Sequence, residues 1–70
     1  MQFKKQVDQW IADNKLVKIE VLKGRGVRQT LLGRILKFDV DDRIVLLYDP
    51  DAKQVRNLKF AEIETMQPVD

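Results

Sequence analysis

Seventy residues with 44% apolar side chains, 13 Lys and Arg against 11 Asp and Glu, and neither Cys nor His point to one small folded domain over residues 1–70. Such a chain buries only about 60% of its unfolded surface, and without Cys or His it has no disulfide staple, no common zinc site and no Ser-His or Cys-His catalytic pair. A core this small gains from association, so a homo-oligomer is expected.

Residues 3–14 place Phe3, Val7, Trp10 and Ile11 on one stripe at helical spacing, with Lys4, Lys5, Asp8 and Asp13 elsewhere. This predicts a three-turn amphipathic helix, with Trp10 and Phe3 as its contacts to the rest of the fold and Asn14 in the left-handed position that closes it. The same segment carries charges in place of an apolar signal core, and no apolar run reaches the roughly 20 residues that span a bilayer. A cytoplasmic protein with no membrane partner is expected.

From Leu16 the period becomes two: Val17, Ile19 and Val21 alternate with Lys18, Glu20 and Leu22, as in a strand with one buried face. Gly24-Arg25-Gly26 supplies a hairpin turn, and a longer strand follows over about 27–38. Gly33 in its middle is costly unless the backbone bends there or approaches a neighbour closely. Residues 40–43 form a polar turn, 44–48 a buried strand, Asp49-Pro50-Asp51 a type I turn, and about 54–60 a fourth strand. One turn at Ala61 and Glu62 leads to a last strand over 63–67, which Pro68 stops. The predicted fold is mainly β: an N-terminal helix covering one end of a five-stranded, strongly bent antiparallel barrel over about 16–67.

Catalysis in this chain would fall to carboxylates, Lys, Tyr48 or Thr, and these form no constellation. No enzyme activity and no cofactor are expected. Asp39, Asp41, Asp42, Asp49 and Asp51 cluster on two turns, but Ile44 and Pro50 stand where a calcium loop starting at Asp39 needs Gly and Glu. These aspartates are read as turn initiators that bond nearby backbone, and no metal is expected.

Charge is distributed unevenly. Residues 15–37 hold seven cations and one anion, a balance of +6, whereas 38–70 hold four cations and eight anions, a balance of −4. The basic hairpin suggests a phosphate-attracting surface centred on Arg25, Arg28 and Arg34, with Lys37 beside it. Its alternative is a solvated strand face. The split also suits a basic patch on one protomer facing an acidic patch on the next. Leu36, Phe38, Leu58 and Phe60 are read as core or interface filler before base-stacking platforms.

Val17-x-Ile19-x-Val21-Leu22-x-Gly24, Gly33-x-Ile35-x-x-Phe38-Asp39, Ile44-Val45-Leu46-Leu47 and the 61–68 ending together resemble the Sm-like fold, an SH3-like small barrel, most closely in its bacterial Hfq branch of RNA chaperones. The resemblance covers about residues 3–68 and implies a ring of subunits that binds RNA. Where that branch carries Gln-Phe and Tyr-Lys-His in its uridine pocket, this chain has Val40-Asp41 and Leu58-Lys59-Phe60, so the resemblance carries over Lys59 alone. Val55-Arg56 and Phe60-Ala61-Glu62-Ile63 are also similar to the endings of YolD-like proteins and WYL domains. The main expectation is a non-enzymatic Sm-like module binding RNA weakly through Arg25, Arg28, Arg34, Lys37 and Lys59. The alternative is a protein-interaction or regulatory accessory module, without direct nucleic-acid binding, whose strand edges take up a partner.

Overall fold

The computed structural model describes residues 2–69, and side chains from Lys4 to Val69. The expected contact of Phe3 lies outside the described side chains. Helix α1 (Gln2–Ala12) is followed by strands β1 (Leu16–Lys23), β2 (Val27–Asp39), β3 (Ile44–Asp49) and β4 (Gln54–Lys59), a single 3-10 turn (Phe60–Glu62), and β5 (Ile63–Pro68). Helix, strand order and turns follow the periods and breakers of the sequence.

The helix ends as its last residues dictate. Asn14 takes a φ of 54°, its N–H donates to the Ile11 carbonyl at 3.1 Å, and the Lys15 N–H donates to the Trp10 carbonyl at 2.9 Å. This paired closure satisfies two carbonyls that the last helical turn leaves open. On the side facing the sheet, Val7 is fully buried, with Trp10 and Ile11 packed around it.

All strand pairs are antiparallel, in the order β4-β3-β2-β1-β5. Alternation sends Val17, Ile19 and Val21 of β1, Leu31 and Ile35 of β2, Val45 and Leu47 of β3 and Leu58 of β4 into one core with Val7. Gly33 sits where β2 crosses closest to β3: a Cβ there would collide with the Tyr48 carbonyl. Of the two readings of this glycine, a bend or a close approach, the close approach is present. Register shifts between Ile35 and Lys37 and between Glu20 and Val21 bend the sheet locally.

The expected barrel is not formed. A barrel requires its first and last strands to pair, yet β4 and β5 are the two edges of this sheet and do not pair with each other. The architecture is a mainly β, helix-plus-sheet domain with a five-stranded open antiparallel sheet. This corrects the Sm-like and Hfq-like reading, together with the partial likeness to YolD-like and WYL barrels. Bulges and a close-contact glycine bend individual strands; they do not supply the edge-to-edge pairing that closure needs.

Candidate functional site

The predicted basic residues other than Lys59 lie along one hairpin, and the five are not gathered into a patch. Arg28 and Arg34 lie six residues apart on β2, about 20 Å at the rise of a strand and well beyond the roughly 8 Å over which exposed charges act at physiological salt. Arg28 Nε pairs with Glu64 Oε1 at 3.1 Å. Arg34 Nε donates to the Asn14 carbonyl at 3.3 Å, and Lys37 Nζ lies 3.4 Å from Asp39 Oδ2. Arg25 stands at the exposed tip between β1 and β2, and Lys59 is on β4, two strands away. Exposed Leu32 and Leu36 interrupt the series. The expected RNA-binding function is therefore corrected: neither a barrel nor an exposed basic patch is present to support it. The +6 of the hairpin was counted along the chain, whereas Glu64, 36 positions away in sequence, neutralises Arg28 in space.

The residues read as filler divide. Leu58 is buried, while Phe38 and Phe60 stack with ring centroids 4.9 Å apart against the core. Leu36 is 52% exposed, because it follows buried Ile35 in the alternation of β2 and lies on the outer face with Leu32.

The acidic turns act as the sequence suggests. Asp39 Oδ1 accepts the Asp42 N–H at 3.0 Å, and Asp49 Oδ1 accepts the N–H groups of Asp51 and Ala52 at 3.0 and 3.1 Å. Both carboxyls are held below the ordinary aspartate value, Asp39 chiefly by the Asp42 N–H and Asp49 chiefly by the Ala52 N–H, with Lys37 and Arg56 adding to the effect. Among the described residues no group of three or more acidic side chains is arranged to hold a metal ion. None of the described helices is long and apolar enough to cross a membrane.

The feature that sequence reading located least well is the β4 edge. The Phe60 N–H bonds the Arg43 carbonyl at 2.9 Å, and the β3–β4 register pairs Ile44 with Lys59, Leu46 with Asn57 and Tyr48 with Val55. Antiparallel ladders alternate, so Gln54, Arg56 and Leu58 direct their backbone groups to β3, and Val55, Asn57 and Lys59 direct theirs outward. The Lys59 N–H is taken by Glu62 Oε1 at 3.4 Å. The N–H and C=O groups of Val55 and Asn57 face the open side of the edge, where no strand pairs with them. On β5, the Val69 N–H bond to Leu16 gives the same parity: Met66 and Pro68 face outward, and Pro68 has no N–H to offer. β4 is the more complete template.

At the end of this edge, Asp42, Arg43, Ile44, Lys59, Phe60 and Ala61 line an open groove of ≈ 530 Å³. Its lining is mostly apolar and carries the charges of Asp42, Arg43 and Lys59, with the Glu62 carboxylate beside it on the Lys59 N–H. Nearby, Arg56 points inward, its Nη2 3.3 Å from Asp49 Oδ2 and its Nε buried with no hydrogen-bond acceptor among the described residues. No protein-family model matches this chain, and a search of curated proteins finds no match.

Proposed function

We propose that this chain is a non-enzymatic protein-interaction module that takes an extended segment of a partner protein onto β4 as a sixth strand, without direct contact to nucleic acid. The observation that carries the reading is the uncovered β4 edge, with the outward N–H and C=O groups of Val55 and Asn57 and a Val55 side chain that is 54% exposed. Unpaired backbone groups on a strand edge are a ready template for another chain. A cytoplasmic setting belongs to the same proposal. A second copy is another source of the strand, which retains the self-association expected of so small a core.

Asn57→Pro tests this directly. The substitution removes an N–H that makes no bond to β3, so the fold is kept while the added strand loses a donor. Nuclease-treated extract should yield a protein partner on the wild-type chain and lose it on Asn57→Pro. Equal capture by both chains, or capture of RNA alone before nuclease treatment, overturns the proposal. Light scattering over a concentration series identifies a second copy as the partner if mass rises for the wild type and stays monomeric for the variant.

A further inference from the structure

Independently of the β4-edge reading, we propose that two copies of this chain join through the first half of β2, antiparallel and centred on Gln29. Strand β3 pairs with β2 only from Arg34 onward, so the stretch from Val27 to Gly33 has β1 on one side and no strand of the described residues on the other. The direction of its backbone groups follows from the ladder. The Val69 N–H bonds the Leu16 carbonyl, which turns Leu16, Lys18 and Glu20 toward β5 and Val17, Ile19 and Val21 toward β2. Gly33, Leu31 and Gln29 pair with the latter set and hold the bonds to β1. Arg28, Thr30 and Leu32 therefore turn their N–H and C=O groups to the open side, and these residues are exposed.

Side chains decide the occupant and its register. Val27 is 65% exposed, yet it stands in the same row of β2 as buried Leu31, past the end of the core. A two-fold pair centred on Arg28 would set Arg28 against its own copy and Val27 against Gln29. Centred on Thr30 or Leu31, Val27 would meet Gly33, where the Tyr48 carbonyl fills the space, or Ile35, which β3 already pairs. Centred on Gln29, the pair lays Val27 of each copy on Leu31 of the other, and each Arg28 faces Thr30 with both backbone bonds exchanged. Arg28 leaves the seam clear, since its guanidinium reaches across β1 to Glu64 on β5. The same short stretch thus supplies the exposed apolar side chain and the surface that covers it, the self-complementarity of a closed two-fold interface. Strand β4 stays open for its partner segment.

The chain has no Cys, so a single introduced thiol reports the register. Gln29→Cys places two thiols across a non-hydrogen-bonded antiparallel pair, about 4.5 Å apart at Cα and within disulfide reach. Under mild oxidation it should form a covalent dimer faster than Asn57→Cys does. Adding Thr30→Pro should abolish that product, because the Thr30 N–H lies outside the β1 ladder and is a donor only to the second copy. Light scattering over a concentration series should show a dimer for the wild type and for Asn57→Pro. Val27→Asp, which sets a charge on Leu31 of the other copy, should raise the dissociation constant by at least about tenfold. A wild-type chain that stays monomeric, or a dimer in which Gln29→Cys does not cross-link, overturns the inference and leaves the β4-edge reading standing. A dimer lost in Asn57→Pro and kept in Thr30→Pro overturns it too, since the second copy then sits on β4. Thermal melts of Thr30→Pro and Val27→Asp within a few degrees of the wild type establish that a lost dimer is not a lost fold; if Thr30→Pro unfolds, Gln29→Cys and Val27→Asp decide.

Discussion

Gly33 and Asp49 show how single residues set limits on this fold. A methyl group on Gly33 would enter the space of the Tyr48 carbonyl, and backbone cannot retreat as a flexible side chain can. Gly33→Ala is expected to destabilise the chain by about 1–3 kcal/mol, the usual range for overpacking, read as a lower urea midpoint. Asp49 and Asp39 both have carboxyl pKa values lowered by folding, Asp49 first through the Ala52 N–H and Asp39 first through the Asp42 N–H. A depressed folded value means that the stabilisation is complete above the unfolded aspartate value of about 3.9 and fades as pH falls through the folded value. Urea midpoints should therefore hold steady from pH 7 to about 5 and fall below about pH 4. In Asp49→Asn the acid limb of that profile should be shallower. An unchanged limb would show that Asp49 contributes nothing to it.

Elements are legible here because their signals are local. The stripe of Val7, Trp10 and Ile11, the alternation of Val17, Ile19 and Val21, and the turn residues Gly24, Gly26, Asp49 and Pro50 act on neighbours within a few positions, and each element lies where they place it. The end of α1 rests on Asn14 in a left-handed conformation, so Asn14→Ala should cost about 1 kcal/mol, measured by urea denaturation, whereas Asn14→Gly should cost little. One feature of β2 escapes such reading. The bulge between Ile35 and Lys37 shifts the strand by one residue, so that Lys37 is exposed and Phe38 packs against the core. Simple alternation has no signal for that shift, because it depends on how β3 pairs.

For the whole molecule, the helix covers one face of the sheet and leaves the other face and both edges open. Leu32, Leu36 and Val55 are exposed on this small chain, a distribution that suits association more than solitary life in solution. Leu36→Lys should leave stability within about 0.5 kcal/mol, as an exposed substitution does, and should raise solubility. A large loss of stability would mean that Leu36 is covered, for instance by a second copy. Asn57→Pro should likewise melt close to the wild type while losing its partner, since its N–H lies outside the β3 ladder.

The sequence alone determined the helix, the five strands, their turns and the inward set Val17, Ile19 and Val21, because period and turn chemistry operate over a few residues. It also marked Gly33 as a place where the backbone bends or approaches a neighbour closely. Only the tertiary structure decided that the sheet stays open, that Arg28 answers Glu64, and that Lys59 belongs with Arg43 and Phe60 at the end of an edge. Closure, ion pairing and groove formation join residues far apart along the chain. Their outcome depends on which edges meet in space, and no local pattern encodes it.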